Sequence, residues 1–304
     1  MFISKHQDAF GVEPACRVLT GCGWQIAPGT YYAAIRRLPP ARAVRDGQIL
    51  AQIRRMRAEY EEVYGARKTW LELNRRGIAV ARCTVERVMR ENGLHGVRRG
   101  RTIRTTIPGK GPGHERAADL LKRDFTAPAP DRRWVADFTQ VATLAGTVYV
   151  AFVVDIFSRM FTGWAAARHK RAKLVLDALD MALWHRDHGG HPVGAGLICH
   201  SDAGAQYTSI AFTAHLAAEG LVPSIGTVGD ALDNALMESA IGLYKAELIA
   251  RRGPWRDLAH VEMETAGYLH WFNNRRIHSA IGDVTPAEAE AAWYAARDRE
   301  EPEP

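Results

Sequence analysis

The spacing of apolar residues changes character near residue 133, and that change limits the folds open to this chain more than any other feature. Upstream, apolar side chains recur every three to four positions, the period of a helix with one buried face. Val12–Leu19 and Pro28–Arg37 read as short helices across a turn with Gly21 and Gly23. Gln48–Tyr64 reads as a longer one, its stripe being Ile49, Ile53, Met56, Tyr60 and Val63. ARKTWLELNRR, bracketed by Gly65 and Gly77, and RCTVERVMREN, stopping at Gly93, complete a helical region. Downstream, Arg133–Thr143, Thr147–Asp155 and Met160–Ala167 are β-rich runs separated by turns, a meander. A helix (Leu174–His188), a strand (Gly196–His200), a helix (Ser209–Glu219), a strand (Val222–Ile225) and a helix from about Asp233 to Ala250 follow. No internal repeat or low-complexity tract is evident. The predicted class is α/β, a mixed five-stranded sheet flanked by helices and preceded by an all-α region.

Charge divides the chain at the same place. Residues 1–97 carry 16 Lys and Arg against 9 Asp and Glu, residues 98–133 carry 10 against 4, and residues 134–304 carry 14 against 21. A basic front half joined to an acidic remainder suits a piece that grips a polyanion beside a piece that does other work. The last two upstream helices, joined by the short GIAVA turn, suit a helix-turn-helix whose second helix enters a DNA groove and presents Thr84, Arg87 and Arg90. A plain helical hairpin with a solvated basic face is the competing reading. Residues 98–133, rich in Gly, Pro and Arg, read as a linker with one short helix near Glu115–Lys122, and Arg98, Arg99 and Arg101 would lie along phosphates. No run of about 18 apolar residues is present, so a membrane span is not expected. MFISKHQDAFGVEP lacks the apolar centre of an export signal. Cys16, Cys22, Cys83 and Cys199 are scattered, which disfavours a zinc knuckle or a disulfide scaffold and fits a reducing cytosol. The expected location is cytoplasmic, associated with the nucleoid of a bacterium.

Three acids stand on elements that this order would bring together. Asp137 lies in the apolar strand RWVADFT, Asp202 ends the strand ICHSDAG, and Glu238 lies in the helix DNALMES. Each alone has an ordinary explanation, namely a paired strand carboxylate, a turn Asp before Gly204, or a surface Glu. Together they suit a site for two divalent cations, which need oxygen ligands from several elements while leaving room for phosphate. A Ser-His-Asp set from His200, Ser201 and Asp202 fails, because neighbours in a strand point to opposite faces.

The surrounding words carry a family likeness. DIFSRMFTGWA (155–165), HSDAGAQYTS (200–209), GDALDNALMES (229–239) and WFNNRRIHSAIG (271–282) followed by Thr285-Pro286 are similar to motifs of bacterial insertion-sequence transposases, whose integrase core belongs with the retroviral integrases. That family uses an Asp, Asp, Glu triad with about 35 residues between the last two; here 35 residues lie between Asp202 and Glu238 and 64 between Asp137 and Asp202. The likeness runs from about Trp134 to Trp293, and FGVEPACRVL, YGARKTW and CTVERVMRENGLHGVRRG resemble the amino-terminal part of the second-reading-frame transposase product. The His-His-Cys-Cys zinc pattern of retroviral integrases is missing from the sequence.

The resemblance implies a ribonuclease-H-like sheet after a helix-turn-helix region, with segments at 1–97, 98–133, 134–295 and an acidic tail at 296–304. It implies that Asp137, Asp202 and Glu238 are catalytic and hold two Mg2+ (or Mn2+) ions, for DNA 3′-end cleavage and strand transfer. A DNA-binding protein without catalysis, or a ribonuclease-H-like nuclease that does not join strands, are the alternatives. Lys245, two helical turns past Glu238, would meet a DNA phosphate, and Asn234 shares Glu238's face. Asp233 suits the helix N-cap. His200 and Gln206 flank Asp202 and could orient phosphate, and Asp155 would pair with Arg159. Trp271 and Phe272 would pack on the core, leaving Asn273, Asn274, Arg275, Arg276 and His278 either for DNA or for helix capping and bracing. Expected partners are terminal inverted-repeat DNA, target DNA, further copies of the chain, and an upstream-frame product, fused or separate.

Overall fold

Strand β2 (Gly146–Asp155) shows how the sheet is built, since it is apolar at nearly every position. In the computed structural model, which describes residues 2–98, 117–202, 204, 206–226 and 234–300, successive side chains of β2 enter two different cores. Val148, Val150, Phe152 and Val154 face one, while Ala151 and Val153 face the other. A strand covered by helices on both sides must be apolar on both sides. β2 pairs antiparallel with β1 (Arg133–Thr143) and with β3 (Phe161–Ala167). Beyond β1 lie β4 (Ile198–Ser201) and β5 (Val222–Ile225), both parallel, giving the order β3-β2-β1-β4-β5. This is the mixed five-stranded ribonuclease-H-like sheet that the order of periodicities predicts.

Helices α7 (Ala172–His188) and α8 (Ile210–Ala218) cover one face, burying Leu174, Val175, Ala178, Phe212 and Leu216 around Trp134. α7 comes close only because residue 163 of β3 is glycine: a Cβ there would stand 2.2 Å from the Ala178 carbonyl oxygen. The other face is covered by α9 (Ala235–Tyr244) and, further on, by α11 (Leu258–Asn274). The predicted single helix over 233–250 is interrupted: α9 passes into a π turn at Lys245–Ile249 and ends in a short α10 (Ala250–Arg252). α12 (Pro286–Glu300) continues through residues 296–300, so the tail expected from residue 296 is helical there. The short helix expected near 115–122 is not formed in its described part, residues 117–122; instead the Asp119 carboxylate accepts from the Leu121 and Lys122 amides, and Leu121 is buried against the sheet.

The amino-terminal region holds α1 (Phe2–Phe10), α2 (Val12–Gly21), α3 (Pro28–Arg36), α4 (Ala41–Glu59), α5 (Ala66–Arg75) and α6 (Arg82–Glu91). Ile49, Ile53, Leu73, Val85, Val88 and Met89 join α4, α5 and α6 in one small core, the helix-turn-helix region. That region is docked on the sheet domain. Ile277 inserts among Met56, Tyr60, Val63 and Tyr64, and the Tyr64 hydroxyl accepts from the Ile277 amide (2.8 Å) while donating to the Arg275 carbonyl (3.2 Å). The Arg67 guanidinium grips Asp283 with both nitrogens (2.7 and 2.6 Å). Among the described residues, no helix is long and apolar enough to cross a membrane.

Candidate active site

β1 and β4 are neighbouring parallel strands in which Ala136 pairs with Ser201. One position further on stand Asp137, in β1, and Asp202, just past the end of β4; neighbouring strands lie about 4.8 Å apart, so continuing this register sets the two acids side by side on the same face. That face is the one α9 covers. Leu236, Met237, Ala240, Ile241 and Tyr244 are buried beneath α9, which leaves Glu238 exposed along its edge. The sequence folds this way because the apolar residues of α9 recur at helical spacing and Glu238 falls outside their stripe.

The electrostatics record the approach of these groups. The Asp137 carboxyl is held well above the usual carboxylate range, first by burial and then by the negative charges of Asp202 and Glu238, with the Phe138 amide and the Lys245 ammonium acting in the opposite sense. Asp202 reaches solvent at the strand end, yet its carboxyl is also pushed up by poor hydration, against the Gly204 amide (3.0 Å) and the charge of His200. Gly204 permits this turn, since a Cβ there would stand 2.9 Å from an Asp202 oxygen. Carboxylates crowded so that one resists ionisation form a donor set suited to a hard divalent cation, which would relieve the repulsion. Among the described residues, no three histidine, cysteine, aspartate or glutamate side chains are gathered tightly enough to hold a metal ion as they stand.

Around the acids, the predicted contacts sort unequally. Lys245 is exposed and close enough to act on Asp137. Asn234, at the start of α9, is not displayed to solvent: it is 7% exposed, and neither its Oδ1 nor its Nδ2 has a hydrogen-bond partner among the described residues. Gln206 donates to the Lys170 carbonyl (2.8 Å), which ties down the loop after Asp202. His200 is fully buried, its Nδ1 2.8 Å from Ser224 Oγ and 3.8 Å from Asp119, so it fixes the segment before the sheet rather than facing phosphate. Tyr207 escaped the sequence reading. It is buried against Phe138 and Phe212, its hydroxyl has no partner among the described residues, and burial followed by the charges of Asp137 and Asp202 pushes its ionisation up. Its signal lay in its position five residues after Asp202 inside an otherwise polar motif.

The run WFNNRRIHSAIG is mostly bracing. Asn273 exchanges two hydrogen bonds with the Phe161 backbone, and Asn274 returns to the His270 carbonyl. Arg276, expected at DNA, is 4% exposed and forked onto Glu247 (2.8 and 2.5 Å) over the Phe272 ring, with His278 beside it. A guanidinium so buried and paired is a structural ion pair, and the expectation for Arg276 is corrected accordingly. Arg275 is exposed. On α6, Arg90 is exposed and Thr84 half-buried, whereas Arg87 is spent on Asp46 (2.7 Å) and Glu91 (3.0 Å), bracing α6 on α4 instead of standing open to DNA. Arg98 is exposed; Arg99 and Arg101 lie outside the described residues. Asp155 is not paired with Arg159: it accepts from the amides of Asp131 and Ser158 and from the Ser158 hydroxyl, while Arg159 donates to the Phe125 carbonyl.

The chain is similar to known proteins along most of its length. The family described as Integrase core domain matches residues 127–231 and again 219–286, and an HTH-like domain matches residues 44–102. A putative transposase for insertion sequence element IS986/IS6110 of Mycobacterium tuberculosis is 51% identical over 274 residues, 90% of this chain and 98% of that protein. The transposase for insertion sequence element IS629 of Shigella sonnei is 45% identical over 298 residues, 96% of each chain. Among solved structures, the HTLV-2 integrase catalytic core domain in complex with magnesium aligns with 54% of this chain and 98% of its own, at 16% identity and a TM-score of 0.40.

Proposed function

Since the chain belongs to the insertion-sequence transposases with an integrase core, we propose that Asp137, Asp202 and Glu238 are the residues that carry out its DNA cleavage and strand transfer. The enzyme is a polynucleotidyl transferase: one phosphodiester is cut to expose a 3′-hydroxyl, and a hydroxyl then attacks a second phosphodiester in line. The observation that carries the assignment is the pairing of Ala136 with Ser201 on adjacent parallel strands, one residue before Asp137 and Asp202, on the sheet face covered by the helix that bears Glu238. The three carboxylates fit two Mg2+ (or Mn2+) ions by donor chemistry, and such ions, when bound, polarise the scissile phosphate and favour the ionised form of the attacking hydroxyl.

The chain's own residues supply the positioning. Lys245 meets a phosphate oxygen next to the carboxylates, as a mobile point charge suits. Asn234, whose buried amide lacks a partner among the described residues, gains one from the sugar-phosphate backbone when DNA arrives; an unsatisfied buried polar group costs about 1–3 kcal/mol, and that cost is relieved on binding. Gln206 keeps the Asp202 loop in place. Farther out, Thr84, Arg90, Arg98 and Arg275 hold the duplex by groove and phosphate contacts. The DNA is the element's terminal inverted repeats and a target, held by at least two copies of the chain, with an upstream-frame product as a further partner.

The test uses Asp202→Asn and Glu238→Gln in a strand-transfer assay on labelled end DNA with Mg2+. Both variants should bind the duplex as the wild type does and form no joined, longer product. Joining at the wild-type rate by either variant overturns the assignment.

A further inference from the structure

The sequence shows no obvious repeat, yet the backbone contains one. α2 and α3 are joined by residues 22–27, and α5 and α6 by residues 76–81, six residues in each case. The two connections are the same turn 54 positions apart. Cys22 and Arg76 close their helices at φ, ψ of −86, 6 and −80, 7; Gly23 and Gly77 follow at φ 92 and 76; Ala27 and Ala81 open the next helices at −76, 145 and −73, 145. The hydrogen bonds also coincide. Gly23 donates to Thr20 and Gly77 to Asn74 (3.0 Å each), while Trp24 donates to Leu19 and Ile78 to Leu73 (2.9 Å each). Leu19, Gly23, Ala27, Thr30 and Arg36 are identical to Leu73, Gly77, Ala81, Thr84 and Arg90.

Each copy has its own core. In the first, Ile3, Ala15, Cys16 and Tyr31 are buried with Val12, Leu19 and Ile26 beside them, and the Tyr31 hydroxyl donates to Gln7 of α1 (2.7 Å). The three helices α1 to α3 therefore stand as a unit, as α4 to α6 do. Thr30 and Arg36 occupy in α3 the places of Thr84 and Arg90 in α6, two of the residues proposed above to meet DNA. The surface of α3 opposite the buried Tyr31 consists of Gly29, Ala33, Arg36 and Arg37, all exposed. Small side chains at its start let a helix approach bases closely, and two guanidiniums at its end can reach phosphates.

Charge names the occupant. Between Glu13 and Asp46 there are five arginines (17, 36, 37, 42 and 45) and no acidic residue. Among the described residues, Arg36 and Arg37 have no ion-pair partner, whereas Arg82 and Arg87 of α6 are paired to acids. A helix free of acids and ending in two guanidiniums, presented by a helix-turn-helix turn, is complementary to duplex DNA.

We propose that residues 2–37 form a second helix-turn-helix unit, with α3 seated in the major groove of duplex DNA and Arg36 and Arg37 on its phosphates, so that one chain grips DNA at two helices, α3 and α6. The proposal rests on the reading of the enzyme as DNA-binding and adds a site outside residues 44–102, the segment matched as HTH-like.

The test measures binding of the full chain to a labelled mixed-sequence duplex, long enough for two half-sites at about 40 base pairs, by fluorescence anisotropy over a range of salt. Each lost phosphate contact lowers the slope of log affinity against log salt by about 0.9. The R36A/R37A pair should lower the slope by about 2, R36K/R37K should keep it, and R90A should lower it by about 1. Ala33→Phe, which places bulk on the groove-facing surface of α3, should weaken binding at every salt concentration with helix content unchanged. An unaltered slope in R36A/R37A, or wild-type affinity in Ala33→Phe, beside a lowered slope in R90A overturns the second unit and leaves the DNA-binding reading standing. Failure of the wild-type chain to bind the duplex overturns both.

Discussion

Arg275 and Arg276 are chemically identical neighbours, and nothing in the sequence separates them. Their environments do: Arg275 is exposed past the end of α11, while Arg276 turns inward onto Glu247 under Phe272 and His278. Burial holds the His278 imidazole down at about 2, first by desolvation and then by the Arg276 charge, so it stays neutral and crowds the guanidinium without competing for Glu247. Removing one member of a buried, hydrogen-bonded ion pair costs about 3–5 kcal/mol, because the partner charge is left without compensation. Arg276→Ala is therefore expected to lower the unfolding free energy by about that amount in urea titrations, with the affinity of the folded fraction for duplex DNA unchanged. Arg275→Ala should do the reverse, leaving stability within about 0.5 kcal/mol and reducing the salt slope of DNA binding by about 0.9. The triad differs from this pair of arginines in legibility. Asp137 was noticeable in the sequence because a carboxylate among Trp134, Val135, Ala136 and Phe138 conflicts with its surroundings, and a conflict of that kind is visible without coordinates.

At the scale of elements, the order of strands and helices was readable because short β-rich apolar runs bounded by turns give way to helical spacing of three to four residues between Arg133 and Tyr244. Three features were not. The π turn at Lys245–Ile249 contains neither Gly nor Pro, so KAELI reads as continuous helix. The duplicated helix-turn-helix is hidden because its copies agree in turn geometry while different side chains fill the cores: Tyr31 stands where Val85 does and Cys16 where the half-buried Trp70 does, and Ala34 and Ile35 are exposed where Val88 and Met89 are buried. The third is the close approach of α7 to β3, which rests on a single glycine in FTGWAAA. The Cβ of Gly163→Ala would meet the Ala178 carbonyl at 2.2 Å and the Ala182 amide at 2.6 Å, both backbone atoms of a packed helix that cannot rotate away. Overpacking of this kind costs about 1–3 kcal/mol, and the unyielding backbone places Gly163→Ala at the upper end. Chemical denaturation should show that loss, whereas Gly146→Ala in the β1–β2 turn, where nothing lies within 4 Å, should suffer only from its φ of 112.

Across the whole molecule, the helix-turn-helix region is fastened to the catalytic domain by a small set of contacts centred on Tyr64, so the distance between gripped DNA and the carboxylates depends on them. Tyr64→Phe removes the acceptor of the buried Ile277 amide as well as the bond to the Arg275 carbonyl. A buried donor left without a partner costs about 1–3 kcal/mol. Tyr64→Phe should accordingly lower strand transfer more than it lowers DNA affinity, because each domain still grips while their spacing loosens. The same interface contains a titratable group. Lys68 is half-buried over the Tyr64 ring, its ammonium pushed down to about 7 by burial first, then by Arg276, with Arg67 adding to the effect and Glu247 and Asp283 opposing it. The unfolded chain holds this proton up to about pH 10.4, so between pH 7 and that value the unfolded state binds more protons than the folded one, and stability rises with pH across the interval. His278 is neutral in the folded chain, and the unfolded imidazole has lost its proton above about pH 8, so from there upward it adds nothing to the slope. The folded chain should thus gain stability from about pH 8 to about pH 9.5, read as a rise in the thermal midpoint, and Lys68→Met, which keeps the apolar stem and discards the charge, should shrink that rise. An equal rise in Lys68→Met and the wild type would assign the pH dependence to groups elsewhere in the chain.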